Sequence, residues 1–238
     1  MYSLIIGFGE VGKAVFEVLN NAYPHVFVLD PPKRIYPQTR TQQYDYIHIC
    51  FSYYEGFVEQ VKKYQEETKC KYTIIHSTVP VGTSRLCGAV HSPVVGMHPE
   101  LKESLLTFTR FLAGEKASEV ADYFRKAGMK VYLFDKQETT EYLKLRCTEK
   151  FGIDVEHTKD VKRGCDERDI PFEAWSIWVD DYNRGYQELG HDEFTRHNLV
   201  PIMRPIGGHC VLPNAGLLET PFSKLLKELN ETDQLPRT

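Results

Sequence analysis

The sequence predicts an α/β protein: a doubly wound parallel sheet followed by a smaller helical domain. Short apolar runs alternate with helical stretches over residues 1–136, a glycine turn joins the first run to the first helix, and the pattern from 137 to 238 is helical. The 238 residues suit one large domain with a smaller partner, at roughly 100 to 200 residues per domain. Hydrophobic residues make up 42% and charged residues 26%, a globular balance that excludes disordered, collagenous and coiled-coil readings.

Residues 2–6 form an apolar run ending in Gly7-Phe8-Gly9-Glu10-Val11-Gly12, after which Val11, Ala14, Val15, Val18 and Leu19 recur at helical spacing. Residues 25–29 are a second β-branched and aromatic strand, stopped by Asp30-Pro31-Pro32 because proline offers no N–H to a central ladder. Residues 46–51 make a third strand, with a charged amphipathic helix at 55–68. Strands follow at 72–76, 93–97, 110–113 and 130–134, with a helix at 117–127 between the last two. The link 31–45 is too short and polar for a full helix and strand, so one βα unit is abbreviated. In the second domain Gly164 reads as a C-cap and Pro171 opens a helix at 172–189. A last helix at 215–230 is expected to pack through Leu217, Leu218, Phe222, Leu225, Leu226 and Leu229.

Composition excludes several function classes. The 29 basic and 33 acidic residues give a net charge of −4, without the basic excess that binding a phosphate backbone requires, so nucleic acid is not an expected partner. No stretch approaches the ~18 apolar residues of a membrane span, and the first residues lack a basic leader, so a cytoplasmic protein is expected. Six cysteines without a CxxC pair argue against a disulfide framework and a zinc knuckle, and most are expected to be reduced and several buried. His191, His197 and His209-Cys210 match no recurring ligand spacing, so no metal is expected.

A GxGxxG alone is weak, since glycines serve ordinary turns, but here it lies between a strand and a helix. Gly7 permits the tight turn, Gly9 lets the backbone approach a pyrophosphate at the helix N-terminus, and Gly12 allows close helix-to-strand packing. Phe8, Glu10 and Val11 complete the turn. Asp30, 23 residues after Gly7, is placed to accept hydrogen bonds from a ribose diol, and a carboxylate there repels a 2′-phosphate, so NAD is the expected cofactor. Lys33 and Arg34 work against that preference. The bland alternative is a glycine turn beside a surface aspartate.

His76-Ser77-Thr78-Val79-Pro80-Val81-Gly82-Thr83 follows the fourth strand, and Arg204-Pro205-Ile206-Gly207-Gly208-His209-Cys210-Val211 comes much later. With the first glycine turn, these segments resemble the UDP-glucose/GDP-mannose dehydrogenase family, which carries STVPVGT and GGxC or GGHC in that order. The resemblance implies a Rossmann-type sheet, and oxidation of a nucleotide sugar's C6 alcohol in two hydride transfers to NAD through a cysteine thioester. It puts forward Cys210 as nucleophile, exposed by Gly207 and Gly208 and assisted by His209. Lys144, with Glu141 three residues before it, resembles the lysine that stabilises an alkoxide. Ser77 and Thr78 resemble residues at the nicotinamide, and Glu100 of Pro99-Glu100 a residue of substrate binding or proton handling. Thr148 stands where the family has asparagine, and Asn214 where it has aspartate, so Asn214 orients water without taking its proton.

The family continues past its cysteine into a nucleotide-binding α/β domain, whereas this chain ends 28 residues after Cys210. Arg146, Arg196 and Arg204 are candidates for an anionic substrate. The leading expectation is an NAD-dependent oxidoreductase acting on a nucleotide sugar or a smaller alcohol or aldehyde. A homodimer is expected through the long helix after Gln137, with Phe151, Ile153, Trp175 and Trp178 on the covered face. Two alternatives stay open: a two-electron hydroxyacid-type dehydrogenase in which Lys144 works and Cys210 is a bystander, and a catalytically weak NAD-binding module. A buried small hydrophobe is the bland reading of Cys210, and a solvated helix face that of Lys144.

Overall fold

The computed structural model describes residues 1–37, 43–208 and 210–232. It forms two compact units, Met1–Lys144 and Leu145–Thr238. The first holds β1 (Ser3–Ile6), α1 (Glu10–Ala22), β2 (Val26–Leu29), β3 (Tyr46–Ile49), α2 (Phe57–Thr68), β4 (Tyr72–Ile75), α3 (Thr83–Leu86) and β5 (Val90–His91). It continues through α4 (Leu101–Thr107), β6 (Arg110–Ala113), α5 (Ala117–Lys126) and β7 (Val131–Phe134) to the start of α6 (Thr139–Asp166). The strands form one sheet in the order β2-β1-β3-β4-β5-β6-β7.

The central strands are buried at every position because both their faces are covered. Ile5, Tyr46 and Ile74 pack with residues of α1, α4 and α5, while Leu4, Ile6, Ile47, Ile49 and Ile75 pack with α2 on the other face. Chain order reverses between β1 and β3, the place in such sheets where ligands meet the carboxyl ends of the strands. The described part of the link from β2 to β3 holds one 3-10 turn, Pro31–Lys33, in keeping with an abbreviated unit; residues 38–42 lie outside the described residues.

Two strand expectations need correction. Residues 93–97 are not a strand; the fifth strand is Val90–His91, and Pro93 has no N–H with which to extend its ladder. The sheet is also not wholly parallel, because β6 runs antiparallel to β5 through His91 and Ala113. The seven-residue α4 between them packs against α1 instead of serving as a crossover helix.

The second unit holds the rest of α6 with α7 (Phe172–Glu188), α8 (Val211–Ala215) and α9 (Pro221–Thr232). Gly164 is not a cap: α6 runs through it to Asp166, and the left-handed residue beyond the helix is Asp169, at φ 54°. The helix expected at 215–230 begins later, since α8 ends at Ala215 and α9 starts at Pro221. Thr220 and Ser223 bond reciprocally, Thr220 N to Ser223 Oγ at 2.9 Å and Ser223 N to Thr220 Oγ1 at 3.0 Å, which starts a fresh helix at Pro221. Leu226 is fully buried against Val211 and Ala215, but Phe222 and Leu225 are exposed. Ile153 packs on that same cluster, whereas Phe151 and Trp178 are exposed. Among the described residues, no helix is long and apolar enough to cross a membrane.

Candidate cofactor and active site

The glycine turn is built as a cradle. Gly7 sits at φ 90°, and a Cβ on Gly12 would lie 2.0 Å from the Gly7 carbonyl oxygen, so a side chain at Gly12 would force the turn open. A Cβ on Gly9 meets nothing within 4 Å, leaving open space above the amide at the start of α1. Asp30, buried at the end of β2, accepts from the Phe8 amide at 2.7 Å and from Lys33 N at 3.2 Å. Lys33 Nζ closes the arrangement by donating to the Phe8 carbonyl at 2.6 Å. Glu10 pairs with His98 Nδ1 at 3.0 Å, which ties the start of α1 to the segment ahead of Glu100. The open amide edge and a carboxylate beside it fit the pyrophosphate and ribose of a dinucleotide, with Gly7 to Gly12 and Asp30 as the holding residues.

Ser77 lies beside this turn. Its Oγ donates to the Phe51 carbonyl at 2.5 Å, and the Phe51 amide is 2.9 Å from where a Gly7 Cβ would stand. Thr78 follows, half-buried. The first turn of α6 is bonded to the same region. Glu141 is fully buried and accepts from the amides of Gly82 at 2.6 Å and Ser84 at 2.7 Å, while His91 joins Thr140 Oγ1 at 2.8 Å to the Ser77 carbonyl at 3.1 Å. Burial raises the Glu141 carboxyl above its ordinary range, although both amide bonds pull it down. Arg85 pairs with Glu138 beside them. Lys144, one turn after Glu141, is half-buried on α6. Glu100 is exposed ahead of α4, where its carbonyl accepts from the Ser104 amide and hydroxyl.

Sequence reasoning missed a polar cluster beneath these residues. His48 Nδ1 and His76 Nε2 are 3.0 Å apart, His48 Nε2 reaches the Tyr123 hydroxyl at 3.2 Å, and that hydroxyl meets Ser3 Oγ at 2.9 Å. Arg110 Nη2 lies 3.2 Å from His76 Nδ1 and donates to the Ser92 carbonyl at 2.5 Å and its hydroxyl at 2.9 Å. Burial lowers His48 to about 3, His91 to about 4 and Arg110 to about 10, so the histidines are neutral and the guanidinium charged at neutral pH. The available signal was the alternation of β3, which puts His48 on the same buried face as Tyr46.

In the second unit, Cys210 is exposed and immediately precedes α8, with Gly208 at φ 82° before it. Asn214 is buried within α8, and Thr148 is buried on α6. His209 lies outside the described residues. Arg146 is ion-paired to Glu149 at 2.5 Å. His191 and His197 pair with Glu193 and Asp154. All six cysteines are unpaired with one another; Cys87 is buried, Cys50, Cys70 and Cys165 are half-buried, and Cys147 and Cys210 are exposed, so one thiol is buried where several were expected. Among the described residues, no three His, Cys, Asp or Glu side chains converge as a metal site.

No family model matches the chain, and no curated protein matches it in sequence. Solved structures do match its fold. UDP-D-ManNAc dehydrogenase from Pyrococcus horikoshii superposes at TM-score 0.71 with 16% identity, over 98% of this chain and 69% of that one. A UDP-glucose dehydrogenase from Pyrobaculum islandicum gives TM-score 0.71 and 16% identity, over 98% and 68%. Mycobacterium tuberculosis 3-hydroxyisobutyrate dehydrogenase, solved with L-serine, gives TM-score 0.68 and 12% identity, over 98% and 93%. The chain therefore has a nucleotide-sugar dehydrogenase-like fold, a doubly wound α/β sheet followed by helices.

Proposed function

We propose that the chain is an NAD-dependent oxidoreductase acting on a CH–OH group, with a nucleotide sugar as the leading substrate class. The observation that carries this reading is the cradle made by Gly7, Gly9, Gly12 and Asp30, closed by the Asp30 bond to the Phe8 amide and open above Gly9. When bound there, the nicotinamide supplies a hydride acceptor. Asp30 favours a free ribose diol over a 2′-phosphate. Ser77 holds the ends of β3 and β4 together, and Thr78 beside it contacts the nicotinamide end.

Lys144 donates to the developing alkoxide, its helix held in place by the bonds of Thr140 and Glu141. The Cys210 thiolate adds to an aldehyde carbonyl to give a hemithioacetal, which becomes a thioester by giving up a second hydride to NAD, and water then opens the thioester to a carboxylate and frees the thiol. Asn214 orients that water but takes no proton from it, so deacylation is the slow step. Glu100 handles substrate or protons from the segment beyond β5. The exposed Phe151 and Trp178 make a second copy of the chain their expected cover, which light scattering at micromolar concentration tests.

A second reading, a two-electron hydroxyacid-type dehydrogenase, is favoured by the 93% of the 3-hydroxyisobutyrate dehydrogenase that the match spans, against 68% of the Pyrobaculum enzyme. Incubation with NAD and nucleotide sugars separates the two. Covalent catalysis requires a mass adduct on Cys210 and loss of turnover in Cys210→Ser. Undiminished turnover in that variant, with one NADH per substrate, assigns the hydroxyacid-type chemistry. No NADH from either substrate class rejects both.

A further inference from the structure

The second unit contains a cleft of about 440 Å³, within the range of small-molecule sites, whose lining includes Lys150, Asp154, His157, Trp175, Arg196 and His197. It is not made by a loose loop. Residues 195–198 lack regular structure but are pinned to α7. The Asn183 side chain donates to the Arg196 carbonyl at 2.9 Å and accepts from the Arg196 amide at 2.8 Å, and Asn198 donates to Ser176 O at 3.1 Å and Asp180 Oδ1 at 2.7 Å. His197 Nδ1, 2.6 Å from Asp154 Oδ2, ties the same loop to α6.

This framing fixes Arg196. Its guanidinium lies 3.7 Å from the Tyr182 ring centroid, and among the described residues no carboxylate pairs with it. Asp154, the acidic residue of the lining, is already engaged by Lys150 and by His197. The cleft therefore presents a held, unneutralised guanidinium, whose planar fork suits the oxygens of a phosphate. It also presents an aromatic surface: Trp175 is half-buried, with the His157 ring 6.1 Å away, and Ile153 adds apolar lining. A fixed guanidinium beside a tryptophan face suits a ligand that joins an aromatic ring to an anion.

We propose that this cleft binds a nucleoside diphosphate, with its base on Trp175 and its pyrophosphate on Arg196. Identifying the ligand as the nucleotide of a nucleotide-sugar substrate rests on the reading above; the chemistry of the cleft does not. A dinucleotide shares the pairing of base and pyrophosphate, so the two sources have to be distinguished by experiment.

The chain has two tryptophans, and Trp178→Phe leaves Trp175 as the sole one. UDP, ADP, uridine and inorganic phosphate are titrated into that variant while its tryptophan emission is followed. Saturable quenching by UDP is expected, with uridine and phosphate each weaker. Arg196→Gln is expected to weaken UDP at least about tenfold and leave NAD binding unchanged, with circular dichroism reporting the fold. Should that variant misfold, Arg196→Lys keeps the charge without the planar fork and is expected to weaken UDP as well. A silent Trp175 or unchanged affinity in the folded Arg196 variants overturns the proposal, and tighter binding of ADP than UDP overturns the assignment of the ligand to a nucleotide-sugar substrate. The oxidoreductase reading is followed in the same preparation. NADH formed from a nucleotide sugar with Trp175 silent defeats the cleft alone, while Arg196-dependent UDP binding without NADH supports the cleft and defeats the oxidoreductase reading.

Discussion

Glu141 Oε1 accepts a hydrogen bond from the Ser84 amide at 2.7 Å, so the first turn of α6 is anchored to the first turn of α3. The other carboxylate oxygen takes the Gly82 amide at 2.6 Å. Glu141→Gln turns one acceptor into a donor facing a donor, and is expected to cost about 1–3 kcal/mol of unfolding free energy. The loss is read as a lower urea midpoint in Glu141→Gln, and an unchanged midpoint would refute the assignment.

The buried histidines set the acid limit of the first unit. His48 falls from 6.5 to about 3 and His91 from 6.5 to about 4, so the unfolded chain takes up protons that the folded chain refuses. Their stabilisation is present above 6.5 and is lost as pH falls toward the folded values, at up to about 1.4 kcal/mol per pH unit for each histidine. Urea midpoints should drop steadily from neutral pH down to about pH 4. His91→Gln should flatten that slope.

Asp30 has two tasks that a substitution can separate. Asp30→Asn leaves an oxygen to accept the Phe8 amide but removes the charge proposed to receive a ribose diol. NAD affinity is expected to fall about tenfold, the size of one charge-assisted hydrogen bond, while NADP binding holds or improves. Titration of both cofactors checks this, and unchanged selectivity would assign Asp30 to the turn alone.

Thiol labelling should sort the cysteines by exposure. Cys210 and Cys147 are exposed, whereas burial raises Cys87 to about 11 and pushes Cys50 up as well. Brief alkylation at neutral pH should modify Cys210 and Cys147 first, read by peptide mass spectrometry. Early modification of Cys50 or Cys87 would contradict the packing around them.

Much of the first unit was legible because its signals are local. Residues 2–6, 46–49 and 72–75 are short apolar runs, and Gly7 to Gly12 is a turn whose steric reason can be read without the rest of the chain. The fifth strand lies ahead of the residues whose pattern suggests it. Pro93 to Met97 carries the β-branched pair Val94-Val95, while Val90 and His91, which do pair with β4, include a polar residue. The helix boundaries near Gly164 and Pro221 depended on a left-handed Asp169 and on the bonds between Thr220 and Ser223, neither of which a pattern of apolar residues encodes.

The sequence by itself determined the alternation of strands and helices, the glycine turn and the acidic residue 23 positions after Gly7. Those are properties of neighbours along the chain, governed by backbone sterics and side-chain periodicity. Only the tertiary structure decided that β6 runs against β5, that His48, His76, Arg110 and Tyr123 share one buried network, and that Glu141 serves the amides of Gly82 and Ser84. A polar side chain on a strand can face water or a partner far along the chain, and its residue type is the same in both cases. The cost of burying it without a partner selects between them, and that partner exists only once the sheet has assembled.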